Sequence, residues 1–152
     1  MQISMFTLMK KLILILISII SMYSVSAQKY TDTYIKDANK VALSWLNDIN
    51  NKEYEDAYNL LSKEVKVRYQ KEIWTSLIND LMLEFGDLGS RNVEQKYFQS
   101  EIEGMEDGFY VFIEFNSQYE KTTKHTEFLL LKQNDKFKWE ISDYNYSFKA
   151  KE

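Results

Sequence analysis

The hydrophobic period changes once along this chain, and that change limits what it can fold into. Up to Phe85 the apolar residues recur at helical spacing, and after Gly89 they alternate. Ile35, Ala38, Ala42, Trp45, Leu46 and Ile49 share one face of a first helix. A polar connection over 48–53 leads to a second helix opened by Tyr54, Ala57, Tyr58 and Leu61. Ile73, Trp74, Leu77, Ile78, Leu81, Met82 and Phe85 mark a third, which Gly86 ends as a C-cap. Four alternating segments follow: "RNVEQKYFQSEIE", "FYVFIEFNSQYE", "KHTEFLLLKQ" and "KFKWEISDYNYSF". The turns between them are short, one bracketed by Gly104 and Gly108 and another built on Asn134 and Asp135, so neighbouring strands run antiparallel. Helices first and strands after them predict an α+β domain, with three N-terminal helices packed on a curved four-stranded antiparallel sheet.

Two strands carry further information. In the second, Phe109, Val111, Ile113 and Phe115 line one face, while Tyr110 and Phe112 stand on the other. A sheet covered on one side only keeps its other face polar. The extra apolar face therefore calls for a cover, either a second copy of the chain or a deep pocket. In the last strand the apolar phase moves from Phe137, Trp139 and Ile141 to Tyr144, Tyr146 and Phe148, as a bulge would make it do.

The first 27 residues differ in kind. Lys10 and Lys11 precede the apolar run "LILILISII" and then "SMYSVSA", the layout of a cleavable signal peptide cut between Ala27 and Gln28. The apolar stretch is shorter than the roughly 20 residues of a spanning helix, so no stable membrane insertion is expected after cleavage. Export to the periplasm or beyond follows, with residues 28–152 as a single domain. Cleavage removes two lysines and no acid, taking the formal charge from −4 to −6. An acidic surface is wrong for nucleic acid, whose binding depends on cations that displace phosphate counterions. The chain has no cysteine and one histidine, which removes disulfides, thiolate metal sites and a cysteine nucleophile. No glycine-rich phosphate loop, nucleophile elbow or zinc motif is present, and no cofactor or metal is expected.

The segments "ALSWLNDINNKEYEDAYNLLS", Trp74, "LGSR", "GMEDGFYVFIEF", "TEFLLL" and "WEISDYNY" stand in an order that resembles domain of unknown function family 4019, small exported bacterial proteins. The resemblance covers about Ala38 to Phe148 and rests on Trp45, Leu46, Trp74, Arg91, Gly104, Gly108, Glu127, Trp139 and Tyr144. It implies a cone-like fold of the nuclear-transport-factor-two/cystatin type, and no established activity. Asp143 departs from the pattern, which tends to glycine there.

Among the candidate side chains, His125 falls near a strand end and outside the resembling positions, so it reads as a solvated surface histidine. Glu127 shares a face with Leu129 and Leu131, which sets its carboxylate beside the core. A buried charge must be paired or it neutralises, and Arg91 opens the first strand. An Arg91–Glu127 ion pair is therefore expected at the sheet, with Tyr144 as a hydrogen-bonding third member, either as a structural pair that pins strand register or as a pair that faces a ligand. The acidic loop of Glu101, Glu103, Glu106 and Asp107 lacks the ligand spacing of a calcium loop and reads as a solvated turn. Trp45, Trp74 and Trp139 all fall on core faces. These readings favour a non-catalytic exported module, dimeric through its sheet, that binds a small ligand or a protein at Arg91, Glu127 and Tyr144. The alternative is a small hydrolase- or isomerase-type enzyme with Glu127 as acid/base, Arg91 as anion anchor and Tyr144 as donor. A third reading is a structural accessory subunit with a filled interior.

Overall fold

The structure, a computed structural model, describes residues 30–151. The leader expected over 1–27 lies outside the described residues. Helix α1 runs over 30–50, and its apolar spacing buries Ala38, Ala42, Trp45, Leu46 and Ile49. The helix continues through part of the stretch expected to be a connection. It closes at Lys52, whose φ of 64° is left-handed, with Glu53 N–H on the Asp48 carbonyl at 2.8 Å and Lys52 N–H on that of Ile49 at 3.3 Å. This is the hydrogen-bond pattern of a Schellman end, made here without glycine.

The next segment is two short helices, α2 (Tyr54–Asn59) and α3 (Lys63–Arg68), followed by α4 (Lys71–Phe85). The described residues thus hold four helices where the periodicity predicted three. The break has a physical cause. Ser62 caps α3 by accepting from Val65 N–H at 3.4 Å, and the backbone beside it bonds to a strand rather than to a helix. Ser62 N–H donates to the Ile141 carbonyl at 2.8 Å, and Ile141 N–H donates to that of Leu60 at 2.9 Å. Leu61 is buried by this docking.

Helix α4 buries Trp74, Ile78, Met82 and Phe85. Ile73 and Leu77, expected on the same face, are more than half exposed. At its end Gly86 takes φ 77°, and a Cβ there would stand 3.0 Å from Glu120 Cβ and Lys121 Cγ. Only glycine lets the helix terminus approach the β2–β3 turn this closely.

The strands are β1 (Leu88–Gln99), β2 (Tyr110–Tyr119), β3 (Thr122–Gln133) and β4 (Trp139–Ala150), in one open antiparallel sheet of order β1-β2-β3-β4. The inner face of β2 is Val111, Ile113, Phe115, Ser117 and Tyr119, and that of β3 is His125, Glu127, Leu129 and Leu131, all buried. Tyr97 stacks on Phe112 on the outer face at 4.8 Å, with Phe128 half-exposed nearby in register. The phase shift read in β4 is a bulge, because Leu130 pairs with Asp143 while Leu131 pairs with Ile141, leaving Ser142 over. Phe137, assigned to the strand face, instead sits in the β3–β4 turn at φ 59° and is 81% exposed. Residues Tyr34–Glu152 form one compact unit, and both sites described below lie within it.

Candidate functional site

Arg91 lies on the edge strand β1, and its side chain reaches across β2 to Glu127 on β3. Register explains the reach: Arg91 faces Ser117, Ser117 faces His125, and Glu127 is one inner-face position further along. The guanidinium binds both carboxylate oxygens, Nε to Oε2 at 2.7 Å and Nη2 to Oε1 at 3.1 Å. Arg91 is 8% exposed and Glu127 fully buried. Tyr144 on β4 donates its hydroxyl to Glu127 Oε1 at 2.7 Å, so the expected trio is assembled.

Three further side chains complete the cluster. Tyr119 donates to Glu127 Oε1 at 3.1 Å, and Ser117 donates to Oε2. Arg91 Nη2 also donates to Tyr119 Oη at 2.6 Å and to Asn50 Oδ1 at 3.0 Å, and Asn50 Nδ2 reaches Tyr119 Oη at 3.2 Å. The cluster therefore ties α1 to all four strands. Asn50, Ser117 and Tyr119 were missed in the sequence, although a signal existed. Ser117 and Tyr119 continue the inward phase of Val111, Ile113 and Phe115, and a buried polar group at such a position must have a partner.

The electrostatics follow from this geometry. Burial alone would push the Glu127 carboxyl up, but the Arg91 charge and the bonds from Arg91, Ser117 and Tyr144 outweigh it and hold the group below its ordinary value. Burial and the neighbouring Glu127 charge drive the Tyr144 hydroxyl well above its own, and Tyr119 is raised for the same two reasons. Glu127 is thus an ionised acceptor whose two oxygens receive five donated bonds.

His125 is the clearest correction. Expected at the surface, it is 1% exposed. The strand begins at Thr122, earlier than its apolar run suggests, and Lys124 at φ 51° makes the irregularity that sets His125 on the inner face beside Glu127. Its ring packs edge-on to Phe85 at 4.3 Å and stacks on Phe148 at 5.5 Å. Nδ1 bonds Thr122 Oγ1 at 2.8 Å, and the buried Nε2 has no partner among the described residues. Burial, with Arg91 adding to it and Glu127 opposing, keeps the imidazole neutral below its usual 6.5. The unfolded chain takes up that proton near pH 6.5 while the folded chain resists it, so stability must fall as pH drops below about 6.5. Chemical denaturation at stepped pH should show a loss of up to about 1.4 kcal/mol per pH unit there, absent in His125→Phe.

The acidic loop projects into solvent, and Glu106 pairs with Lys132 at 2.8 Å. Among the described residues no group of three or more histidine, aspartate or glutamate side chains could hold a metal.

A second feature lies beside the ion pair. A cavity of about 480 Å³ opens between α3, α4 and β4, over Trp45 and Trp74. Tyr69, Leu77, Tyr144 and Tyr146 form its apolar walls, and Arg68, Asp80, Glu84 and Asp143 add charge. Leu77 was read as core; here it is an exposed part of the groove. Trp45 is buried to 1%, yet among the described residues its indole Nε1–H has no acceptor. Of the three side chains singled out in the sequence, Tyr144 alone lines this groove, while Arg91 and Glu127 lie outside its lining.

Residues 41–144 match the family model described as "Protein of unknown function (DUF4019)". No curated protein matches the chain.

Proposed function

We propose that this chain, which belongs to the family described as "Protein of unknown function (DUF4019)", is a non-catalytic binding module whose site is the aromatic groove between α4 and β4. The observation that carries this reading is the groove itself. Its volume of about 480 Å³ suits a small ligand, and its walls are mainly apolar and aromatic with charge on the lining. Residues Arg91 and Glu127 then serve as a brace beside the groove, transmitted to it by Tyr144. The Tyr144 ring packs on Trp45 at 5.0 Å while its hydroxyl binds Glu127.

The enzyme reading with Glu127 as acid/base is weaker on the same geometry. A general acid needs a proton to give near neutral pH, and a base needs a free lone pair. Glu127 is held ionised, and five donors occupy its oxygens.

Export belongs to this proposal, on the basic and apolar layout of residues 1–27. So does a cone-like sheet of the nuclear-transport-factor-two type, which the register shifts in β1 and the bulge in β4 favour. Pairing of two copies over Tyr97, Phe112 and Phe128 is its oligomeric form, and a purely monomeric mass in solution would remove that part.

The site is tested with N-phenylnaphthylamine, a neutral aromatic dye that fluoresces when it leaves water. Binding is expected, and Leu77→Glu at the groove should weaken it at least about tenfold, because the charge must be desolvated against the dye. Leu77 is 54% exposed, so this variant should melt with the parent protein. Dye affinity that is absent, or indifferent to Leu77→Glu, would show that the groove is not the site.

A further inference from the structure

We infer that the ligand of this groove carries a cationic head on an apolar body; the inference rests on the groove being the binding site. The place is marked by the cavity, which opens over Trp45 and Trp74. The charge of the ligand is read from the residues around them. Asp80 and Glu84 line the cavity four residues apart on α4, and Asp143 lines it from β4. Among the described residues of that lining, Arg68 alone is basic.

Among the described residues neither Asp80 nor Glu84 has a hydrogen-bond or ion-pair partner. Like charges at this helical spacing repel one another. Asp143 accepts a bond from Asn145 at 2.7 Å, which leaves its charge in place. An anion entering the groove would meet three carboxylates for one guanidinium. A cation gains from all three and from the aromatic rings, whose faces attract positive charge. Tyr69 and Tyr146 are each more than a third exposed, so their rings are within a ligand's reach. The apolar body then lies over Trp45, Trp74 and Leu77. An alkyl or aryl ammonium and a lysine- or arginine-bearing peptide share this chemistry; the small-molecule form is the one proposed, because the cavity is drug-sized.

The test uses three probes with one body and different heads: phenylbutylamine, phenylbutanol and phenylbutyrate. Each is titrated into the protein purified from an exporting host, with the three tryptophan indole signals followed by nuclear magnetic resonance. The amine should shift Trp45 and Trp74, leave Trp139 in place, and bind at least about tenfold tighter than the alcohol, with the carboxylate weakest. Joint Asp80→Asn, Glu84→Gln and Asp143→Asn replacement, at exposed positions, should weaken the amine at least about tenfold. Equal binding of all three probes, or an amine affinity that the triple replacement leaves unchanged, overturns the ligand class and leaves the groove as a site. No shift of Trp45 or Trp74 with any probe overturns the inference and the groove reading together.

Discussion

Replacing Arg91 by Met should lower the folding stability by about 3–5 kcal/mol, because it leaves Glu127 charged, buried and without its cation. Glu127 is fully buried, and the polar side chains that remain beside it carry no positive charge. Urea denaturation followed by far-ultraviolet circular dichroism measures the loss. Joint Arg91→Met and Glu127→Leu replacement should recover part of it, since removing both partners abolishes the buried charge. Recovery should stay incomplete, because Asn50, Ser117 and Tyr119 then lose bonds they now make to the pair. A pair that mattered only for ligand binding would leave the stability of both variants close to that of the parent.

The second large effect is expected at Phe85→Ala, at about 3–5 kcal/mol. Phe85 is fully buried where α4 ends, and its ring touches those of Tyr119, His125, Tyr146 and Phe148. Removing it opens a cavity beside the imidazole and loosens the junction at Gly86. The acid sensitivity assigned to His125 should shrink in this variant, because water that enters the cavity hydrates the charged ring. Thermal melting at pH 7 and at pH 5.5 measures both consequences.

Much of this arrangement was legible in the residues themselves. Glu127 could be placed beside the core because it shares a strand face with Leu129 and Leu131, and a buried carboxylate requires a cation. Arg91 was the candidate at the start of the sheet. The Ser142 bulge showed as a phase shift of the apolar residues, since one extra residue reverses which side chains point inward. Other features left no local trace. Whether α2 and α3 are one helix or two depends on Ile141, some eighty residues away, which takes the Ser62 amide. His125 reads as exposed when the strand is started at Lys124, which sets the ring at a strand end, whereas polar Thr122 and Thr123 already pair with β4. The groove was invisible for a related reason. Leu77 and Ile73 carry the same helical period as the core, and period alone does not tell which part of a broad apolar stripe stays uncovered.

The division of labour between a structural ion pair and a binding groove is tested most directly by the protonation of Glu127. Its side-chain carboxyl can be followed by carbon-13 nuclear magnetic resonance as the pH is lowered, with Glu127→Gln identifying the signal. A brace requires a carboxylate that stays ionised to below its ordinary value of 4.5, or until the fold itself is lost. A midpoint above that value, in the folded protein, would mean that Glu127 holds an exchangeable proton, and the enzyme reading would take the place of the brace.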